Sequence, residues 1–186
     1  MKKQLLTFIL SIGCLIGFAQ YGFTPAVLIT KQNDTIRCEV QRAVAFGKHV
    51  TYRNSEAEPE LSILSKNVKS IRSDKMYWEN ITLGKKERIM NLVADGNIRL
   101  FNHVTINSGT PSAGPGGNGT YTPYTAPTIV FAWQKDGVYY EVKKNDLKER
   151  TEQLMFDCPG VVEKVKNKEY AFESMGVLVR EYNSCK

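Results

Sequence analysis

The sequence lacks any apolar run long enough to cross a bilayer as a helix. The strongest run, residues 5–18, stops short of the ~18 to 20 residues that a span requires. It is also poor in metal-ligating chemistry: the 2 histidines, His49 and His103, each stand alone, and neither HExxH nor CxxC occurs. There is no G-x-S-x-G nucleophile elbow. The glycine-rich stretch at residues 114–119 lacks the Gly-Lys-Ser/Thr ending of a phosphate loop and does not open a helix, so a nucleotide site is not expected there. No motif for a cofactor or a metal is found. A basic stripe is missing too. Lysines and arginines are interleaved with acids, as in KKNDLKERTEQ, which argues against nucleic acid as a partner.

What is present begins with an export signal. Lys2 and Lys3 precede the apolar run, and Gly17-Phe18-Ala19 closes it with a small-x-small cleavage pattern. Residues 1–19 are therefore expected to be a signal peptide and Gln20 the mature start. Lipid anchoring at Cys14 is disfavoured, because Ser11 stands where a lipobox carries leucine and Leu15 to Ala19 would trail the anchor as apolar residues. Loss of Lys2 and Lys3 takes the formal charge from +6 to +4. The expected location is the periplasm or cell envelope, or secretion, with no transmembrane span after cleavage. Such compartments permit disulfides.

Cys38, Cys158 and Cys185 remain after processing, an odd number. The segment between Cys158 and Cys185 reads as a helical hairpin. Pro159 suits a first helical position, Val161, Val162 and Val165 form an apolar face, and Met175, Leu178, Val179 and Tyr182 recur at helical spacing. Antiparallel helices bring the start of one beside the end of the other, so a Cys158–Cys185 staple is expected. Cys38, in the alternating stretch TIRCEV, reads as a small buried strand residue rather than a nucleophile.

Upstream the period is two. Residues 25–40 form a hairpin signature around Lys31-Gln32-Asn33-Asp34, and IMNLVADGNIRLF and IVFAWQKDGVYYEV turn at Asp95-Gly96 and Asp136-Gly137. Short strands are expected at residues 49–52 and 68–71, with the acidic SEAEPE as a solvated loop. After Lys144 the period lengthens, and Leu147, Thr151, Leu154 and Met155 share one helical face behind an Asn145 or Asp146 cap. The expected class is α+β: an antiparallel β-rich sandwich or partly open barrel over residues 20–144, followed by a three-helix segment over residues 145–186 packed on the same domain. Residues 105–127 are rich in Gly, Pro, Ser and Thr and read as a long loop, in which Tyr121 and Tyr124 are candidate partner-binding residues. Trp78, Trp133, Tyr139 and Tyr140 suit core or sheet-face packing better than a carbohydrate platform.

The segments VLITKQNDTIRCEV, NLVADGNIRLF, VYYEVKKNDL, DCPGVV and VREYNSC resemble a group of exported proteins of the Bacteroidota to which no activity is assigned. The resemblance implies an envelope or secreted location and pairing of the two C-terminal cysteines. It implies no catalytic residue.

Two functional readings follow. The first is a non-enzymatic binding or interaction module whose partner is another envelope protein or a glycan. The second is an extracytoplasmic hydrolase that assembles Cys38 or a serine with His49 or His103 from separated positions. Exposed hairpin edges add a third possibility, assembly through unpaired strands. Export in the native host is expected to yield a chain beginning at Gln20; N-terminal sequencing that returns Met1, or a lipid-modified Cys14, contradicts the signal reading.

Overall fold

A computed structural model describes residues 22–41, 46–106 and 127–185. The expected signal peptide, Cys14, Tyr121 and Tyr124 lie outside the described residues, as does most of the Gly/Pro-rich stretch. Among the described residues ten strands form one antiparallel sheet: β1 (Phe23–Thr30), β2 (Thr35–Gln41), β3 (His49–Arg53), β4 (Leu61–Leu64), β5 (Val68–Arg72), β6 (Tyr77–Leu83), β7 (Lys86–Ala94), β8 (Arg99–Ile106), β9 (Pro127–Lys135) and β10 (Val138–Val142). Their spatial order is β10-β9-β8-β7-β6-β5-β1-β2-β3-β4, so the sheet is open, with β10 and β4 as its edges. Helices α1 (Leu147–Leu154), α2 (Pro159–Lys166) and α3 (Met175–Asn183) follow, and the class is α+β.

The turns form where backbone chemistry allows. Asn33 takes a φ of 68° between β1 and β2, and Asp136 and Gly137 take 53° and 79° between β9 and β10, the paired positive φ of a two-residue hairpin turn. Between β7 and β8 a different demand applies. Gly96 has a φ of 148°, and a Cβ there would lie 2.6 Å from Cγ of Asn183. Asn183, at the end of α3, accepts the Ile98 N–H at 3.0 Å and donates to the carbonyls of Ile98 at 2.9 Å and Asp95 at 3.2 Å. The last helix is thus latched onto the hairpin by one side chain that only glycine leaves room for.

Strands β6 and β7 are buried on both faces. On one face Trp78 and Ile89 join Leu28, Cys38, Val40, Val50, Val68 and Ile71 beneath Phe46. On the other, Ile81, Leu83 and Met90 meet Phe101 and Ala132, with Tyr139 against them. In a flat sheet β6 and β10 would be about 19 Å apart, yet the Tyr139 hydroxyl on β10 donates to Glu79 on β6. The C-terminal five strands therefore curl around this second cluster without closing. Their outer face carries the third core, in which Leu100, Phe131, Trp133 and Val142 pack under Leu154, Met155, Val161, Leu178, Val179 and Tyr182. Trp78 and Trp133 are core residues, 6% and 0% exposed.

The helices follow the expected faces. Pro159 occupies the first turn of α2, and Cys158 and Cys185 are disulfide-bonded across the α2–α3 hairpin. Asp146 precedes α1 as expected, but its carboxylate accepts the Lys143 N–H at 2.6 Å, closing the turn before the helix and making no side-chain cap on it. Lys135 of β9 donates to the Leu154 carbonyl and, at 3.0 Å, to the Tyr182 hydroxyl, which itself donates to Asp157 at 2.9 Å. This chain of polar contacts ties the sheet to the end of α1. Among the described residues no helix is long and apolar enough to cross a membrane.

Replacing both Cys158 and Cys185 by alanine, a pair 27 residues apart in sequence, is expected to lower stability by about 3–4 kcal/mol on the loop-entropy model. Urea unfolding under oxidising conditions measures it; a double variant as stable as the parent contradicts the staple.

Candidate functional site

The tip joining β5 to β6 is a preorganised turn. The Ser73 N–H donates to the Met76 carbonyl at 2.9 Å, and the Met76 N–H donates back to Ser73 Oγ at 3.2 Å. These bonds fix residues 73–76 as a rigid lip. Beside it opens a cleft of about 560 Å³, with Arg72, Asp74, Lys75 and Tyr77 from the lip and Asp95 and Arg99 from the neighbouring hairpin. The volume lies within the range of small-molecule sites.

The inner wall is a closed polar network. Glu79 Oε2 accepts from the Tyr77 hydroxyl at 3.0 Å and lies 3.5 Å from Nη1 of Arg99, while Oε1 accepts from Tyr139. Arg99 continues outward, donating from Nη1 to Gln134 at 2.9 Å and from Nε to Asp95 at 3.1 Å. Its guanidinium also lies 4.9 Å from the Phe101 ring centre and 5.5 Å from that of Tyr77. Tyr77, Glu79, Arg99 and Tyr139 are thus bonded to one another, and the network braces the inner wall. Burial first, and then the Glu79 carboxylate, push the Tyr139 hydroxyl far above the ordinary tyrosine pKa; the same causes raise Tyr77.

The outer cleft is different. Arg72 lies 5.5 Å from the Tyr77 ring centre. Among the described residues, neither Arg72, Asp74 nor Lys75 forms an ion pair. With guanidinium groups from Arg72 and Arg99 already near the Tyr77 ring, the cleft presents cationic donors and the Asp74 acceptor more than an aromatic platform.

A second, smaller pocket of about 210 Å³ has Ser65, Asn80, Glu87 and His103 in its lining. Their hydrogen bonds point elsewhere. Ser65 Oγ donates to the Gly47 carbonyl at 2.7 Å, Glu87 accepts from Lys31 at 2.8 Å, and His103 Nδ1 bonds the Ile89 carbonyl at 3.0 Å. A carbonyl oxygen only accepts, so Nδ1 carries the proton and, in the neutral ring, Nε2 holds the lone pair. Asn80 Nδ2 donates to the carbonyls of Ser65 and Val68 at 3.0 and 2.9 Å, which commits both amide protons internally.

Of the sequence candidates, Cys158 and Cys185 are brought together. Cys38 is buried in the cluster around Leu28, which contains neither histidine; burial raises its thiol pKa, opposed by a backbone hydrogen bond at Leu28. His49 is exposed on β3, opposite Leu64. Tyr121 and Tyr124 fall outside the described residues. The cleft gives no signal in the sequence, because its walls come from a turn and a hairpin, from Arg72 to Arg99, and carry no motif. Among the described residues no three His, Cys, Asp or Glu gather to hold a metal ion. No protein-family model, curated protein or solved structure matches the chain.

A buried tyrosine with a raised pKa has a definite pH signature. The unfolded chain releases the Tyr139 proton near pH ~10, the folded chain only at higher pH, so above ~10 the unfolded state binds fewer protons and stability falls as pH rises. Tyr139→Phe is expected to cost about 1.5–3 kcal/mol at pH 7, the range for a hydrogen bond to a charged group, and to lose stability less steeply above pH ~10. Urea titrations at stepped pH check both; parallel pH profiles for parent and variant contradict the assignment.

Proposed function

We propose that this protein is an exported, non-enzymatic binding module of the cell envelope and that the cleft beside the β5–β6 turn is its ligand site, taking an acidic glycan. The observation that carries the reading is the pairing state of the cleft's side chains. Among the described residues Arg72 and Lys75 have no carboxylate partner, while Glu79, Arg99, Tyr77 and Asp95 are bonded to one another. Arg72 offers the planar fork that suits a carboxylate, Lys75 adds a mobile charge, and Asp74 accepts sugar hydroxyls. An open, polar, rigid-lipped cleft suits an extended hydrophilic chain better than an enclosed apolar ligand. The Cys158–Cys185 disulfide is consistent with an oxidising compartment, and the signal-peptide pattern expected at residues 1–19 points the same way.

A specific observation favours one second reading. The pocket whose lining includes Ser65, His103 and Glu87 has the residue types of a serine hydrolase. It ranks behind the binding reading because the Ser65 proton goes to Gly47 and the His103 Nδ1 proton to a carbonyl instead of a carboxylate. Labelling of Ser65 by a fluorophosphonate probe, abolished in His103→Ala, would move this reading ahead.

For the cleft, tetragalacturonate is the probe and maltotetraose its neutral counterpart. Calorimetry at low salt is expected to show saturable 1:1 binding of the acidic oligosaccharide only, weakened at least about tenfold in Arg72→Ala/Lys75→Ala. No binding of the acidic chain, or equal binding by parent and variant, overturns the proposal.

A further inference from the structure

The helical segment carries a third recess, apart from the cleft and the Ser65 pocket. It lies where the start of α1, the end of α2 and the 3-10 turn Phe172–Ser174 meet, and its volume is about 400 Å³. Leu147, Val165, Ala171 and Phe172 line it. Phe172 is held in place by an edge-to-face contact with Phe131, ring centres 5.2 Å apart. On another side, Tyr170 is fixed by its hydroxyl, which donates to Glu181. The recess is thus apolar inside, on a frame of residues anchored to the third core.

Around this lining stand four lysines: Lys144, Lys148, Lys166 and Lys168. Lys166 is paired with Glu152 at 3.3 Å, whereas Lys144, Lys148 and Lys168 form no ion pair among the described residues. Glu173 is the acidic side chain that shares the lining. Three unpaired ammonium groups around an apolar recess is an unfavourable arrangement on its own, since like charges repel and gain nothing from the surface they enclose. An amphipathic anion meets both features at once: its apolar body removes the lining from water, and its head group offsets the lysine collar.

The geometry points to this recess as a binding site for a single-chain amphiphile with a carboxylate head, the class of a medium-chain fatty acid. The collar specifies the charge of the head and the lining specifies the aliphatic body. A neutral alcohol satisfies only the lining, and a cationic amphiphile meets repulsion from the collar.

The experiment uses the mature chain with dodecanoate held below its micelle concentration, followed by calorimetry and by amide chemical-shift changes. Dodecanol, dodecyltrimethylammonium and vesicles of anionic phospholipid serve as comparisons. Saturable 1:1 binding of dodecanoate is expected, with shifts centred on Leu147, Val165 and Phe172. Affinity is expected to fall about tenfold in Lys148→Glu/Lys168→Glu and to be lost in Ala171→Trp, which fills the recess from an exposed position. Folding of both variants is confirmed by unchanged spectra away from the recess. No binding of dodecanoate overturns the proposal, as does equal binding of the cationic amphiphile or undiminished binding by both variants. Sedimentation with anionic vesicles but no response to monomeric dodecanoate also overturns it, in favour of a membrane surface.

Discussion

The structure depends on one constraint: the β6–β7 pair must be covered on both faces. A ten-stranded open sheet has two faces and two edges, and the three helices join only the cluster of Leu100, Phe131, Trp133 and Val142. Here the sheet covers itself. The N-terminal strands bury the face of Trp78 and Ile89, and the C-terminal strands curl over the face of Ile81 and Met90. Because side chains alternate along a strand, a one-residue slip in either β6 or β7 would exchange the two sets and spoil both cores together. The register Trp78↔Asn91 and Glu79↔Met90 is therefore held from both sides.

The polar architecture follows from the same arrangement. Curling brings β10 over β6, and that places Tyr139 against a carboxylate in the middle of a central strand. Glu79 would be costly there alone; with Tyr77, Tyr139 and Arg99 around it, the carboxylate becomes the clasp that holds the curl. Arg99 then bridges inward to Glu79 and outward to Asp95, so the cleft's inner wall is an extension of the clasp. The outer wall needs no such support, since the β5–β6 turn is self-bonded. Arg72 and Lys75 can consequently go without an ion pair among the described residues without loosening the fold. The helical segment is arranged in the same way: Asn183 and Lys135 tie it to the sheet, and the lysines around its recess take no part in those ties.

How much of this was legible in the sequence varied with the range of the interaction. The hairpins announced themselves, because Asn33 and Asp136-Gly137 supply positive φ beside alternating runs. So did the apolar faces of α1, α2 and α3, and the disulfide that closes the hairpin of the last two. Two strands went unread. The β4 strand is a bare four residues at an edge, and β6 carries Glu79 and Asn80 at its centre, where a local window sees only an interruption. The partners that make those two residues acceptable lie in β8, β10 and the 3-10 turn after β4, far along the chain. The cleft was invisible for the same reason: Arg72 and Lys75 look like ordinary surface charge until the fold shows which charges near them are already matched. Between the two forms expected for the sheet, the curl without closure follows from tertiary contacts such as that of Tyr139 with Glu79, on which strand patterning is silent.

Double-sided burial makes a direct claim about where the fold is most stable, and native-state hydrogen exchange of the backbone amides tests it. Amides of β6 and β7 are expected to exchange only through global unfolding, with protection equal to the full unfolding free energy, while those of the edge strands β4 and β10 open through smaller fluctuations. Exchange in β6 and β7 as fast as at the edges, or protection confined to one half of the sheet while the other half opens independently, would contradict the claim that this pair holds both halves together.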